Sequence, residues 1–147
     1  MNLTYLSENQ RIDIYALAHE RTTLSQVVLE KDWWVTAVLR ALFALPYAEH
    51  LSFKGGTSLS KCWNLIERFS EDIDVAINRE YFGFTGMLSK TQISTRLRRA
   101  SCSFVREKLQ FDLQKQLEIN GLNPSDFLIK VNITSITTTD PEIIEVH

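Results

Sequence analysis

The stretch of residues 53–77, FKGGTSLSKCWNLIERFSEDIDVAI, constrains the fold more than any other part of the chain. A short apolar strand at 51–53 runs directly into Gly55-Gly56, and Thr57 or Ser58 is placed to cap a helix that follows. A second strand is predicted at 72–77, because acidic or small residues alternate there with isoleucine and valine. The order is therefore strand, glycine turn, helix, strand.

The glycine turn has the composition of a phosphate-binding site. Glycines let the backbone turn sharply and approach a ligand closely. The first N–H groups of the following helix lack intrahelical partners and carry a positive partial charge, which favours phosphate. Thr57 and Ser58 add hydroxyl donors, and Lys61 lies one turn beyond Ser58 on the same helix face.

The second strand carries a pair of acids, Asp72 and Asp74. Residues two apart on a strand point the same way, so both carboxylates converge on one face, where they repel unless a cation lies between them. Mg²⁺ commonly uses one or two carboxylates together with substrate phosphates. Asp72 follows Gly56 by 16 positions, and no GK[ST] ends the glycine turn as it would in a P-loop.

These motifs resemble the hG[GS]…Dh[DE]h signature of the nucleotidyltransferase superfamily. More narrowly, KDWWVTAVLRALF at 31–43, FKGGTSLSK and RFSEDID resemble the AbiEii/AbiGii-type nucleotidyltransferase toxins of bacterial toxin–antitoxin and phage abortive-infection systems. The resemblance is carried by 30–77 and extends more weakly to the end of the chain.

The resemblance implies an α/β (α+β) nucleotidyltransferase fold, in which helices flank a small mixed sheet. It also implies Mg²⁺- or Mn²⁺-dependent transfer of a nucleoside monophosphate from an NTP to an acceptor hydroxyl, with RNA or tRNA as the expected acceptor and a cognate antitoxin as a partner. Gly55, Gly56 and Ser58 match the family's phosphate turn, and Asp72 and Asp74 match its metal ligands. The polar residues that lead into the acidic strand match at Arg68 and Ser70.

The third carboxylate of active members is the point of departure. Glu145 superficially fits a strand pattern for it, whereas the resemblance places that acid on a strand beyond residue 147. We therefore expect one nucleotidyltransferase domain over 1–147, as the N-terminal part of a longer protein. The alternative is a catalytically incomplete domain that binds nucleotide, RNA or an antitoxin. A small-molecule or protein acceptor also stays open.

The remaining sequence predicts two helices before the first strand and a long helix after the acidic strand. The first spans about 7–19, the second is capped by Thr22 or Thr23 and closed by Pro46, and the long helix covers about 89–120, with Gly121 at its C-cap. An irregular aromatic loop is predicted at 81–86. Strands are predicted at 127–134 and from residue 143.

Composition excludes several classes of protein. The net charge is −2, two cysteines lie far apart, and neither a signal-peptide pattern nor a membrane-length apolar run is present. These features favour the reducing cytoplasm and exclude a disulfide-rich or membrane protein. The basic residues of the long helix form either a solvated face or an RNA-contacting patch; they are Arg96, Arg98, Arg99, Arg106 and Lys108.

A few single residues carry narrower expectations. Lys31 lies on the apolar stripe of the second helix, so its ammonium group either extends to water or reaches Asp72, Asp74 or a phosphate. The three tryptophans are expected to pack in the core or between helices, and Cys62 to be a small buried residue. The tryptophans are Trp33, Trp34 and Trp63.

Overall fold

The computed structural model describes residues 6–65, 72–132 and 143–146. Within these residues two helices precede the first strand, and two 3₁₀ turns lie at Ala48–His50 and Arg79–Phe82. The elements in order are α1 (Glu8–Arg21), α2 (Gln26–Leu42), β1 (Leu51–Lys54), α3 (Gly55–Lys61), β2 (Asp74–Ile77), α4 (Arg98–Phe104), α5 (Gln110–Ile119), β3 (Ile129–Asn132) and β4 (Ile143–Val146).

The two N-terminal helices begin at serine caps. Ser7 and Gln10 form a reciprocal capping box at the start of α1, and the Ser25 hydroxyl accepts from the Val28 N–H at the start of α2. The cap predicted at Thr22 or Thr23 was wrong. Thr22 instead ends α1, and its hydroxyl donates to the Ala18 carbonyl.

The strands form two antiparallel pairs, β1 with β2 and β3 with β4. In the first pair Leu51 lies opposite Ile77 and Lys54 lies opposite Asp74. Side chains alternate between the two faces of such a pair. Its core face carries Leu51, Val75 and Ile77.

The core lies where α2 packs against α5 and both strand pairs cover the contact. Ala41 and Leu117 are completely buried at this contact. Four aromatic rings extend the core toward the 3₁₀ turns, with centroids 5.2 to 5.5 Å apart; they are Tyr47, Tyr81, Phe82 and Phe104.

A polar contact closes one side of this aromatic group. The Tyr47 hydroxyl donates to the Asp112 carboxylate at 2.9 Å, and Lys108 binds the same carboxylate at 2.9 Å. Burial, followed by the hydrogen bond to Asp112, raises the pKa of the Tyr47 hydroxyl above its ordinary value. The hydrogen bond to Asp112 likewise raises the pKa of Lys108.

The long helix predicted after the acidic strand is present. The backbone is helical over 90–119, with π-helical segments at Gln92–Leu97 and Val105–Leu109 on either side of α4. Gly121 follows with φ +96°, the left-handed conformation expected of a glycine that ends a helix.

The α/β (α+β) class is confirmed, including the two helices before the first strand. The described strands form two antiparallel pairs, which is the form that the expected small sheet takes in this structure. Within the described part of the chain, none of the helices has the length and apolar character that a bilayer crossing requires.

Candidate active site

The solvent face of the β1–β2 pair carries the candidate chemistry. Ile73, Val75 and Ile77 pack against the core, so the intervening acids Asp72 and Asp74 are turned outward and both are exposed. The alternation predicted from the sequence is therefore confirmed. β2 begins at Asp74, so Asp72 precedes the strand, and the convergence of the two carboxylates on one face stays a prediction.

Gly55 and Asp74 are in direct contact on this face. A Cβ atom built on Gly55 would lie 2.8 Å from the Asp74 Cγ and closer still to the Oδ2 atom. Gly55 also has φ +75°, a left-handed conformation that side chains disfavour. The glycine turn and the acidic strand therefore meet at one place, and only glycine leaves room for the carboxylate there.

The helix that starts at this contact has no side-chain cap. Lys54 occupies the N-cap position of α3 and forms no capping hydrogen bond, whereas α1 and α2 are capped by serines. The helix begins at Gly55, so the cap predicted at Thr57 or Ser58 was wrong, and it ends at Lys61. The Lys54 side chain therefore satisfies none of the first N–H groups of α3.

Thr57 and Ser58 are buried and hold the turn together. The Thr57 hydroxyl donates to the carbonyl of Asp72, and the Ser58 hydroxyl donates to the carbonyl of Phe53 at 3.3 Å. The first bond fixes the start of the acidic strand against α3. The second fixes α3 against the strand that precedes it, so the two hydroxyls secure the relative position of the turn and the acids.

Lys61 is fixed at the other end of α3. Its ammonium group donates to the Asp32 carboxylate at 2.6 Å and to the Thr36 hydroxyl at 3.3 Å, both on α2. Thr36 in turn donates to the Asp32 carbonyl at 2.9 Å. The predicted phosphate contact of Lys61 stays a prediction, and the structure shows a bond between α3 and the core helix α2.

The residues fit a divalent ion held by two carboxylates. Within residues 6–65, 72–132 and 143–146, neither Asp72 nor Asp74 has an ion pair through its carboxylate. Both are exposed, and the Asp74 carboxylate lies against Gly55, where the glycine turn begins. An exposed acidic pair of this kind suits Mg²⁺ or Mn²⁺, which complete their coordination with waters and phosphate oxygens.

Glu145 is not brought into this group. It lies on β4 opposite Lys130, and its carboxylate accepts from the Asn132 amide at 2.6 Å. Among the described residues no cluster of three or more His, Cys, Asp or Glu side chains is placed to hold a metal ion. The assignment of Glu145 as the third acid stays a prediction, and the geometry does not support it.

The other sequence-based candidates are dispersed. Lys31 is exposed on α2, and both alternatives for its ammonium group stay predictions. Arg68 and Ser70 lie outside the described residues. Trp33 and Trp34 are half-buried against the core, but Trp63 is 69% exposed and Cys62 is exposed, so the burial predicted for these last two was wrong.

Sequence reasoning missed Lys54 and Asp32. Lys54 is exposed and lies directly opposite Asp74, on the face that carries the acids. Asp32 belongs to the KDWW segment, and in the sequence it resembles any acidic residue of a helix. The structure shows that it forms an ion pair with Lys61. Lys54 could have been found by pairing β1 with β2, because two strands of equal length that pair along their whole length place Lys54 opposite Asp74.

The mixed α/β fold and the acidic strand beside a glycine turn define the class as a small nucleotidyltransferase-like domain. A family model described as "Nucleotidyl transferase AbiEii toxin, Type IV TA system" matches residues 37–146. The match covers most of the chain, from within α2 to the end of β4, so the chain belongs to this family. The resemblance expected from the sequence is confirmed, while no curated protein and no solved structure gives a significant match.

Proposed function

We propose that this chain transfers a nucleoside monophosphate from an NTP to an acceptor hydroxyl, with Mg²⁺ or Mn²⁺ as the metal. The observation that carries the proposal is the contact between the Asp74 carboxylate and Gly55. This contact supports the proposal because an exposed carboxylate and a glycine turn meet in it. Membership of the AbiEii family supports nucleotidyl transfer as the reaction class.

Asp72 and Asp74 would hold the divalent ion. When bound, the ion supplies Lewis-acid stabilisation of charge on the phosphate oxygens. The uncapped first amides of α3 donate to the triphosphate, with Gly55 and Gly56 allowing close approach of the backbone. The hydroxyls of Thr57 and Ser58 act through the backbone carbonyls that they bind, because they keep the turn in place beside the acids.

RNA is the acceptor that the charge distribution supports. Arg96 and Arg99 are exposed and one helical turn apart on the long helix, so their side chains share a face. Lys108 is bound to Asp112, and Arg98 and Arg106 are half-buried with interactions of their own. Arg96 and Arg99 are therefore the residues we assign to the acceptor's phosphate backbone. Their joint replacement by glutamine should weaken RNA binding and flatten its dependence on salt.

The test of the reaction is transfer of label from α-labelled NTPs to total RNA with Mg²⁺ or Mn²⁺ present. Asp72→Asn should abolish transfer and leave the thermal melt nearly unchanged, because the carboxylate is exposed and unpaired among the described residues. Asp13→Asn, another exposed carboxylate on α1, is the control and should transfer like the wild type. Full transfer by Asp72→Asn would refute the assignment.

Calorimetry with the same nucleotides separates the enzyme from a domain that only binds. Nucleotide binding that depends on Asp72, without transfer to any acceptor, would identify a binding domain of the same family. The toxin role is tested in cells: induced expression of the wild-type chain should stop growth, and Asp72→Asn should not. Rescue by a co-expressed gene product would identify the antitoxin partner that a type IV toxin–antitoxin family implies.

A further inference from the structure

Two lysines lie at the two ends of α3, and the structure treats them differently. Lys54 precedes the helix and ends β1, while Lys61 is the last residue of the helix. Sequence spacing favoured Lys61 as the cation for the phosphates, because it lies on the helix that follows the glycine turn. The contacts of the two side chains reverse that preference.

Lys61 is already bound to the core helix. The Asp32 carboxylate lies 2.6 Å from its ammonium nitrogen, and the side chain of Lys61 is only 23% exposed. The Thr36 hydroxyl, which donates to the Asp32 carbonyl, is left to accept the second bond from Lys61. A lysine with these two partners anchors the end of α3 to α2. Moving it to a phosphate would leave Asp32 without its cation.

Lys54 lies on the acidic face, and its side chain is without a bonding partner in the described part of the chain. In the register of β1 and β2 it is the direct partner of Asp74, so their Cβ atoms lie about 5 Å apart on the same side of the sheet. The side chain is exposed, and among the residues that the structure describes it has no ion pair or side-chain hydrogen bond. Its long flexible stem can carry the charge over whatever is bound beside Asp74.

We propose that Lys54 is the cation that contacts the triphosphate at this site, and that Lys61 is a structural residue that anchors α3 to α2 through Asp32. The proposal rests on the proposed nucleotidyl transfer and adds a substrate contact to it. The alternative is that Lys54 forms an ordinary cross-strand pair with Asp74. Such a pair contributes under about 1 kcal/mol to stability and does not affect ligand binding. The two readings differ in how Lys54 affects metal and phosphate binding.

The two ligands should respond to Lys54 in opposite directions. A cation next to Asp74 repels a divalent ion that binds alone, so Lys54→Gln should tighten the binding of Mn²⁺ by itself. The same cation attracts a polyphosphate, so Lys54→Gln should weaken binding of inorganic triphosphate in saturating Mn²⁺ by about 10- to 100-fold, the loss of one charge-assisted hydrogen bond. A change that only disturbed the fold would weaken both.

The experiment measures both affinities by calorimetry, with inorganic triphosphate as the probe because it lacks a base and a sugar. The variants are Lys54→Gln, Lys54→Arg and Lys61→Gln, with Lys90→Gln as a control for loss of one exposed positive charge. Lys54→Arg should retain most of the triphosphate affinity because it keeps the charge. Lys61→Gln should lower the melting temperature and leave triphosphate affinity nearly unchanged. Lys90→Gln should change neither.

The outcomes separate this proposal from the proposed function. Triphosphate affinity that falls in Lys61→Gln and not in Lys54→Gln would overturn the assignment of the two lysines and leave nucleotidyl transfer intact. If Lys54→Gln and Lys61→Gln both bound triphosphate as tightly as an active wild type, Lys54 would be an ordinary surface residue. A wild-type chain that binds neither NTP nor triphosphate in Mn²⁺ would instead defeat the proposed function, and the Lys54 contact with it.

Discussion

The carboxyl group of Asp74 lies where a side chain on Gly55 would have to begin. This contact joins two segments that are 19 positions apart in the chain, and it explains why the turn starts with glycine. Backbone conformation alone would already favour glycine at φ +75°. The acid adds a steric reason, and that reason ties the identity of residue 55 directly to the candidate chemistry.

Gly55→Ala should therefore destabilise the fold and abolish nucleotidyl transfer. The left-handed backbone costs about 1–2 kcal/mol with a Cβ present, and overpacking against Asp74 adds about 1–3 kcal/mol. The carboxylate must move away from the place where it would hold a metal ion. Denaturant unfolding measures the first effect, and Mn²⁺ affinity together with label transfer measures the second.

Gly83→Ala is the matched control for that change. Gly83 has φ +79°, close to the value at Gly55, but nothing lies within 4 Å of the position that its Cβ would occupy. It should lose about 1–2 kcal/mol of stability and keep its transfer activity. If Gly55→Ala also remained active, the contact with Asp74 would have no functional importance.

Thr57→Val tests whether the buried hydroxyl positions the acidic strand. Thr57 is 1% exposed, and its hydroxyl donates to the carbonyl of Asp72. Valine has nearly the same shape but leaves that carbonyl without this donor, at a cost of about 1–3 kcal/mol. We expect the free energy of unfolding to fall by that amount and transfer to fall with it, since Asp72 is no longer fixed against α3.

Thr57→Ser separates the hydroxyl from the methyl group. It keeps the donor and removes one buried methyl group, so stability should fall by about 1 kcal/mol while transfer is largely retained. Chemical denaturation and the label-transfer assay give the two readouts. Loss of transfer in the serine variant, with activity in the valine variant, would contradict the positioning role of the hydrogen bond.

The order of elements around the site could be predicted because each one has a local signal. The glycine pair marks the turn after the first strand, and the alternation of acidic or small residues with Ile73, Val75 and Ile77 has a strict period of two. That alternation predicts which residues are exposed, and Asp72 and Asp74 are both exposed in the structure. The long helix was equally accessible, because Gly121 marks its end.

The contacts of the lysines could not be predicted, since they depend on tertiary neighbours. Lys61 has the correct spacing for a phosphate contact, but the sequence does not reveal that Asp32 of α2 lies 2.6 Å away. The role of Lys54 follows from strand register, which two four-residue strands specify only once they are paired. The predicted helix caps were wrong for a related reason. Several residues with hydroxyl groups lie near the starts of α2 and α3, and the local sequence does not show which of them begins the helix.

Leu117→Ala should cost about 2–5 kcal/mol of stability, because the side chain is completely buried between α5 and the rest of the core. Ile119→Ala, on the same helix, is the control: Ile119 is 64% exposed, and alanine is the better helix former. It should change the free energy of unfolding by less than about 0.5 kcal/mol. Comparable losses in the two variants would mean that α5 does not face the core as described.

Tyr47→Phe should reduce the loss of stability that the wild-type protein shows in alkali. The folded chain holds the Tyr47 proton more tightly than the ordinary value of 10.0, because of burial and the hydrogen bond to Asp112. Below that value both states are protonated and the contribution is fully present. Above it the unfolded chain loses its proton first, so the free energy of unfolding falls by up to about 1.4 kcal/mol per pH unit. Lys108, whose pKa is also raised by Asp112, acts in the same direction, and Lys108→Gln isolates its share. Thermal melts between about pH 8 and about pH 11 provide the measurement, and parallel curves for Tyr47→Phe and the wild type would show that the hydroxyl is not held in its protonated form by the fold.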